Sequence, residues 1–455
     1  MSRIFSVFVF AISIFCGYSQ HNITFKINGV KNVPLTIGYH YGSEVVRKYT
    51  VDLDKTGKGV FSGDTPIPGG IYLAILPDNN FFEFLMTDDR EFTLETDTSH
   101  FVLAMKVIGS DDNTMFNDYQ KFMLGQKKKS IDLQLRMRQN PDSAVFIRES
   151  LKKITEENTI SWKKIVAAHP ESFLSSIFMA MTDPEVPEKN QLDTNRNYEV
   201  EYVKNHYWDN FRFSDEKLLY TPVFYKRLDH YFTGMIKSDP DTIISEGYRF
   251  LDKLKSYPIF YRYTAGYLLN YYADYNQGNL DKVFVTFATD LFLTGKVPVD
   301  SADFSAILQQ TLQMAPVMYG NVAKDISLES PDGKQYSLLE TKAEYTAVFF
   351  YETDCAYCVY ETPRLKSLYD KYKNKSFEVF AVYTQSDKDA WIKYINDFGL
   401  TWINTWDPEN RSEYRYKFWV DETPIIYLLN NRKEIIAKKI DTAELERLLK
   451  INLGE

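Results

Sequence analysis

The sequence is poor in the residues that bind zinc or form disulfides. Its 455 residues include three cysteines, Cys16, Cys355 and Cys358, and six histidines, the last of which is His230. A structural zinc site needs four such ligands, so only a site shared between domains stays open as an alternative. A disulfide between cysteines three positions apart would close too small a loop to stabilise the fold much. The scarcity therefore favours a redox-active cysteine pair.

Long apolar runs are scarce too, and none is long enough for a transmembrane helix. The run at residues 4–15 follows a basic residue and precedes small residues. It is shorter than the roughly 20 residues that cross a bilayer as a helix. This pattern predicts a signal peptide at residues 1–19, cut after Ser19, and no membrane span once it is removed. The alternatives are a membrane anchor and lipid attachment at Cys16, which the bulky Phe15 disfavours.

The chain also lacks a basic stripe. Its formal net charge is -9, and its lysines and arginines are scattered along the sequence. This distribution disfavours nucleic acid as a partner. The apolar fraction of 44% and charged fraction of 25% are typical of a folded globular protein.

Three patterns divide a chain that is too long for one ordinary core. Residues 20–109 contain short alternating runs between turn signals, which predict an N-terminal all-β, sandwich-like domain. Residues 110–315 show a 3.6-residue periodicity broken by prolines, which predicts a central all-α domain with its clearest helix at 143–168. Residues 316–455 alternate strands with helices and predict an α/β domain.

The clearest chemistry lies in the third region. An apolar strand is predicted at 346–351, and Cys355-Ala356-Tyr357-Cys358 opens the helix that follows it. Unpaired N–H groups and the helix dipole at such a helix start favour a thiolate, which is the nucleophilic form of cysteine. Cys355 is therefore the expected attacking thiol. Cys358, one turn further and deeper, is expected to resolve the mixed disulfide.

The same periodicities predict the other elements of this region. They are a hairpin of 326–330 and 334–339, strands at 377–383, 401–404, 425–429 and 433–440, and helices at 387–398, 410–417 and 442–451.

Residues 346–451 resemble the thioredoxin-fold domain of the TlpA/ResA-like thiol-disulfide oxidoreductases, in particular the multi-domain envelope proteins of Bacteroidota. The resemblance rests on the strand and motif at 348–358, on Pro363, and on Thr423-Pro424 before an apolar strand. The stretches 407–411 and 433–439 are also similar to this group. The resemblance implies a C-terminal α/β thioredoxin fold that follows a β-rich domain and a helical domain along the chain.

The resemblance also implies roles for single residues. A cis Pro424 beside the cysteine pair would let Thr423 bind an extended substrate segment, and Tyr357 is assigned to substrate binding as well. The family carries an acidic residue that moves protons for the cysteines at the position of Glu361. A solvated helix charge is the alternative for this glutamate. Thioredoxins proper carry a buried aspartate where this chain has Phe349.

The charges around the motif favour a protein-disulfide reductase or isomerase. Asp354 adds a negative charge beside the first cysteine, and Ala356-Tyr357 adds no positive one, so the thiolate is stabilised less than in strongly oxidising relatives. Peroxiredoxins carry threonine where this chain has Glu352, which disfavours a peroxidase.

We expect an enzyme of the periplasm or cell envelope that needs no bound cofactor. Its expected partners are disulfide-containing envelope proteins and an unidentified thiol electron donor. The rival hypothesis is an envelope binding or structural protein. In it, the N-terminal and helical domains would recognise a ligand or partner, and the redox module would be secondary.

Overall fold

The structure is a computed structural model that describes residues 21–140, 144–188, 197–273 and 279–454. The predicted signal peptide and Cys16 lie outside the described residues. The described residues form two compact units. The N-terminal unit comprises 21–237 with 249–264, and the C-terminal unit comprises 238–248 with 265–454. The predicted succession of β-rich, helical and α/β regions is confirmed, while the domain limits at 109 and 315 stay a prediction.

The N-terminal unit begins with two four-stranded sheets, in the orders β4-β1-β7-β8 and β3-β2-β5-β6. Alternate residues of β1, such as Ile23 and Phe25, are buried, and they share one core with Tyr72 and Phe84 of the other sheet. This shared core is what the alternating apolar pattern predicts for a sandwich. The strands are β1 (His21–Asn28), β2 (Pro34–Tyr41), β3 (Glu44–Asp52), β4 (Lys58–Gly63), β5 (Gly70–Ile75), β6 (Phe81–Met86), β7 (Glu91–Asp97) and β8 (Lys106–Ile108).

Ten α-helices lie in the middle of the described chain, the first of them before β8 and the others after it. Three of them start at a proline, Pro222, Pro240 or Pro258, because proline is tolerated in the first helical turn, where no N–H is needed. The predicted helix at 143–168 is found at 144–168. The helices are α1 (Phe101–Ala104), α2 (Asp111–Gln139), α3 (Ala144–Ala168), α4 (Phe173–Met181), α5 (Tyr198–His206), α6 (Pro222–His230), α7 (Pro240–Lys253), α8 (Pro258–Ala273), α9 (Asp281–Phe287) and α10 (Ser301–Met314).

The C-terminal unit contains a seven-stranded sheet in the order β10-β9-β13-β12-β11-β14-β15. The central strand β11 pairs in parallel with β12 and antiparallel with β14. Its strands are β9 (Ser327–Glu329), β10 (Gln335–Ser337), β11 (Tyr345–Tyr351), β12 (Phe377–Tyr383), β13 (Ile403–Trp406), β14 (Ile425–Leu429) and β15 (Ile435–Ile440), and its helices are α11 (Ala356–Tyr372), α12 (Lys388–Phe398), α13 (Tyr414–Lys417) and α14 (Thr442–Asn452).

Several predicted bounds in this unit were displaced, two of them by a local backbone conformation; the hairpin strands predicted at 326–330 and 334–339 are found at 327–329 and 335–337. The helix predicted at 410–417 begins only at Tyr414, because Asn410 and Glu413 have positive φ angles of 51° and 58°. The strand predicted from 433 begins at Ile435, because Lys433 has a φ of 62° in the preceding turn. The strand predicted at 401–404 is found at 403–406, where its first residue pairs with Phe380.

Strand β11 is buried on both faces and carries the chain into the cysteine motif. Val348 and Phe350 pack into one apolar core, while Phe349 and Tyr351 pack into the other together with Cys358. Both faces of a central strand are covered in this way when helices or loops pack on each side of the sheet. No helix among the described residues is both long and apolar enough to cross a bilayer.

Candidate active site

Cys355 lies between the end of β11 and the start of α11. It occupies the N-cap position of α11, and its Sγ accepts the backbone N–H of Cys358 at 3.3 Å. The same thiol donates to the carbonyl oxygen of Thr423 at 3.4 Å. Its side chain is half-buried, so the sulfur is held by backbone groups and still reachable from solvent. A helix start offers N–H groups and a positive dipole to a thiolate.

Cys358 is the buried partner of this pair. Its side chain is fully enclosed, and its Sγ accepts the backbone N–H of Glu352 at 3.5 Å. Burial raises the pKa of the Cys358 thiol to about 12, and the side-chain hydrogen bond between Cys358 and Cys355 acts in the same direction. At neutral pH the reduced Cys358 therefore keeps its proton.

The loop before β14 supplies the opposite wall. The Thr423–Pro424 peptide bond is cis, which confirms that part of the prediction. Because β14 pairs antiparallel with β11, the start of β14 lies at the same edge of the sheet as the cysteines. The Thr423 carbonyl faces Cys355 there, whereas substrate binding by Thr423, Pro424 and Tyr357 stays a prediction.

An aromatic group packs in the same core as Cys358. Trp391 stacks on Tyr383 with ring centroids 5.9 Å apart, and its indole N–H donates to the Tyr351 hydroxyl at 2.9 Å. The Tyr394 hydroxyl donates to Thr362 Oγ1 at 2.8 Å, and burial raises the pKa of Tyr394 to about 12. These rings keep water away from the inner sulfur, which accounts for its strong tendency to stay protonated.

Glu361 has contacts other than the cysteines. Its carboxylate accepts the backbone N–H of Thr442 at 3.0 Å and also bonds the Thr442 hydroxyl. Thr442 is the first residue of α14, so Glu361 satisfies an N–H at that helix start. The predicted role of Glu361 in proton transfer stays a prediction. Phe349, at the position of the acid in thioredoxins, is fully buried in the apolar core.

Gln385 is a site residue that the sequence reasoning missed. Its side-chain nitrogen donates to Asp354 Oδ1 at 2.6 Å, and its side-chain oxygen accepts the backbone N–H of Thr353 at 3.2 Å. The sequence does hold a signal for it. Gln385 follows β12, and β11 and β12 are parallel, so the residues just after each strand meet at the same edge of the sheet.

The surface around the motif is open and partly apolar. Tyr357 is 75% exposed between the two cysteines, and Val359 and Tyr360 are exposed on the following turn. Exposed apolar residues beside a reactive sulfur suit contact with another polypeptide. In the part of the chain that the structure describes, no three His, Cys, Asp or Glu side chains gather closely enough to hold a metal ion.

Two family profiles match parts of the chain. The AhpC/TSA family matches residues 319–438, which include the dithiol and the Thr423–Pro424 loop. A domain of unknown function, DUF5106, matches residues 148–298, in the helical region.

Curated relatives match the same C-terminal part. The thiol-disulfide oxidoreductase ResA of Bacillus thuringiensis is 30% identical over 81 residues, which are 18% of this chain and 47% of ResA. A thioredoxin-like protein of Haemophilus influenzae is 30% identical over 122 residues, which are 26% of this chain and 68% of that protein. The chain thus spans about half the length of the Bacillus relative.

Two of the similar solved structures are proteins of Bacteroides species. A thioredoxin-like protein from Bacteroides caccae is 21% identical, with a TM-score of 0.45, covering 59% of this chain and 98% of that one. The thioredoxin domain of a thiol-disulfide oxidoreductase from Bacteroides vulgatus is 25% identical, with a TM-score of 0.29, covering 30% of this chain and 97% of that one.

Proposed function

The chain belongs to the thioredoxin-like family, and from this premise we propose that it is an extracytoplasmic thiol-disulfide oxidoreductase. It reduces or isomerises protein disulfides with Cys355 and Cys358. One arrangement supports this above all: a reachable Cys355 at a helix start, bonded to the N–H of an enclosed Cys358 three residues later. A reachable thiol also favours the enzyme over the rival binding or structural protein.

The reaction proceeds by two exchanges. The Cys355 thiolate attacks one sulfur of a substrate disulfide, the S–S bond breaks, and the other substrate sulfur leaves and takes up a proton. Cys358 then loses its proton and attacks Cys355 Sγ. The mixed disulfide breaks, and the second substrate sulfur takes up a proton. The substrate has gained two electrons and two protons, and the two cysteines have become a disulfide.

The second exchange requires deprotonation of Cys358. Because burial raises the pKa of this thiol to about 12, its proton must be accepted by a group that can approach the inner sulfur. The leaving substrate thiolate is one such group, and Glu361 is the acidic residue that the family resemblance assigns to this transfer. In the isomerase reaction the substrate's own second thiol performs the exchange instead.

The charges at the site favour the reducing direction. Asp354 lies directly before Cys355 and is exposed, so its charge opposes a thiolate there. A thiol electron donor returns two electrons and two protons to the Cys355–Cys358 disulfide after each turnover. We place the enzyme in the periplasm or cell envelope, since residues 1–19 have the pattern of a signal peptide. Its substrates there are disulfide-containing envelope proteins.

Two cysteine variants of the full chain test this function. Cys355→Ser should abolish reduction of a disulfide-bonded protein such as insulin by dithiothreitol-fed enzyme, because the attacking sulfur is lost. Cys358→Ser should trap a covalent mixed disulfide with the substrate, visible on a non-reducing gel. Unchanged turnover by Cys355→Ser would refute the proposal. The control for effects of mutagenesis and purification is Thr353→Ser, which keeps a hydroxyl beside the motif and should remain active.

A further inference from the structure

The side chain of Gln385 bonds both residues that precede the nucleophile. Its Nε2 donates to Asp354 Oδ1 at 2.6 Å. Its Oε1 accepts from the backbone N–H of Thr353 at 3.2 Å and from the Thr353 hydroxyl at 3.3 Å. A primary amide can donate and accept at once, so this one side chain fixes the acidic residue and the loop that carries it.

Gln385 is itself held in place. Its backbone carbonyl accepts the indole N–H of Trp406 at 2.6 Å, and it directly follows Thr384, whose N–H bonds the carbonyl of Tyr351 at 3.1 Å. The backbone that carries this side chain is therefore anchored to the sheet through β11 and β13. A side chain fixed in this way can hold a partner at a constant distance from the reacting atom.

Asp354 needs such a partner, since its carboxylate is otherwise exposed. A free surface carboxylate adopts several rotamers, and water and salt screen its charge. Held by the amide, the charge keeps one position, one residue before Cys355 in the chain. The titratable groups that Cys355 influences are Cys358 and Tyr394 of α12. Asp354 instead acts on Tyr383 of β12, together with Asp387 and Glu352.

We infer that Gln385 is a positioning residue that holds the carboxylate of Asp354, the residue directly before the attacking thiol, in one orientation. The fixed charge keeps Cys355 from being as reactive, and as oxidising, as its helix-start position alone would make it. The inference rests on the proposed function, since it concerns the same dithiol. It identifies a regulator of that couple that lies 30 residues away in sequence.

The test measures the rate of Cys355 alkylation by iodoacetamide against pH in the full-length reduced protein. Asp354→Asn should lower the pH midpoint of alkylation measurably, because a negative charge next to Cys355 in the chain is removed. Gln385→Met, which keeps the length but removes the amide, should lower the midpoint in the same direction by a smaller amount. In the Asp354→Asn background, Gln385→Met should add no shift, because no charge remains to be held.

The control is Thr353→Val, which removes the hydroxyl contact to Gln385 and leaves the Asp354 contact intact. It should keep the wild-type midpoint. The inference is overturned if Gln385→Met leaves the midpoint unchanged, raises it, or shifts it equally in both backgrounds. Gln385→Leu replaces Gln385→Met if the latter does not fold. A second measurement on the wild-type protein separates failure of this inference from failure of the proposed function. If the proposed function fails, the Cys355–Cys358 pair cannot be oxidised and reduced reversibly.

Discussion

Replacing Lys438 by methionine would leave a buried carboxylate without its counter-charge. Lys438 lies on β15 with its side chain 7% exposed, and its Nζ bonds Asp281 of α9, whose side chain is 1% exposed. Both residues belong to the C-terminal unit, although 157 positions separate them. Breaking a buried ion pair by removing one partner typically costs about 3–5 kcal/mol of folding free energy.

The structure limits this loss and makes it depend on pH. Burial raises the pKa of Asp281 from its ordinary 3.8, and Lys438 opposes that rise. Without Lys438, Asp281 can escape the penalty by binding a proton. That proton costs about 1.4 kcal/mol per pH unit over about three units at pH 7, so the loss is at most about 4 kcal/mol. At pH 5 the same arithmetic over about one unit gives about 1.5 kcal/mol.

The sign follows from linkage. A carboxyl whose folded pKa lies above its unfolded value contributes stability that is complete below the unfolded pKa and is lost as pH rises through the folded one. The deficit of Lys438→Met should therefore shrink on acidification. Urea unfolding followed by tryptophan fluorescence measures it, because four of the six tryptophans, Trp391, Trp402, Trp406 and Trp419, belong to the C-terminal unit.

The neighbouring lysine is the matched control. Lys439 bonds Asp421 at 2.7 Å, but the Asp421 side chain is 52% exposed, so Lys439→Met should cost less than about 1 kcal/mol. A loss below about 1 kcal/mol for Lys438→Met at pH 7, or the same loss at pH 5 and pH 7, would refute the reasoning about the buried charge.

Two further predictions follow from burial and backbone geometry. Iodoacetamide at pH 8 should label Cys355 in the folded, reduced protein and leave Cys358 unlabelled, because Cys358 is enclosed and its pKa is raised to about 12. Mass spectrometry measures the labelling of each cysteine, and equal labelling of the two would contradict the prediction. Gly57→Ala should destabilise the N-terminal unit by about 2–4 kcal/mol in thermal unfolding, because Gly57 has a φ of 76° and an added Cβ would lie 2.1 Å from the backbone oxygen of Ile27. Gly333→Ala, with a φ of 81° and nothing within 4 Å of the added atom, should cost only about 1 kcal/mol, and equal losses would contradict the steric argument.

Continuous apolar runs between polar or proline residues located the central strands well. The predictions at 377–383 and 425–429 have the bounds of β12 and β14, because burial on both faces leaves these strands apolar at every position except Glu378. The cysteine pair was equally clear, since its place between strand and helix is local in sequence. The cis bond at Pro424 was predicted from the family resemblance and is confirmed.

The sequence analysis predicted none of the polar contacts between distant segments, although the place of Gln385 after a strand was a signal for one of them. Gln385 and Asp354 are 31 positions apart, and Asp281 and Lys438 are 157 apart. Such pairs depend on which strands become neighbours, and a single polar residue has no periodicity that reveals its partner. Glu361 illustrates the same limit, since its contact with Thr442 depends on where α14 packs.

The division of the chain into units bears on how the protein can vary by recombination. The chain passes from one unit to the other at residues 237, 248 and 264, so no single crossover exchanges a whole unit. A crossover at residue 265 would leave the segment 238–248 behind. That segment fits closely, because an added Cβ at Gly247 would lie only 2.5 Å from the Phe287 ring. Recombination that replaces only the residues from 265 onward would therefore combine them with a segment 238–248 from a different parent. We expect the two units to be inherited together.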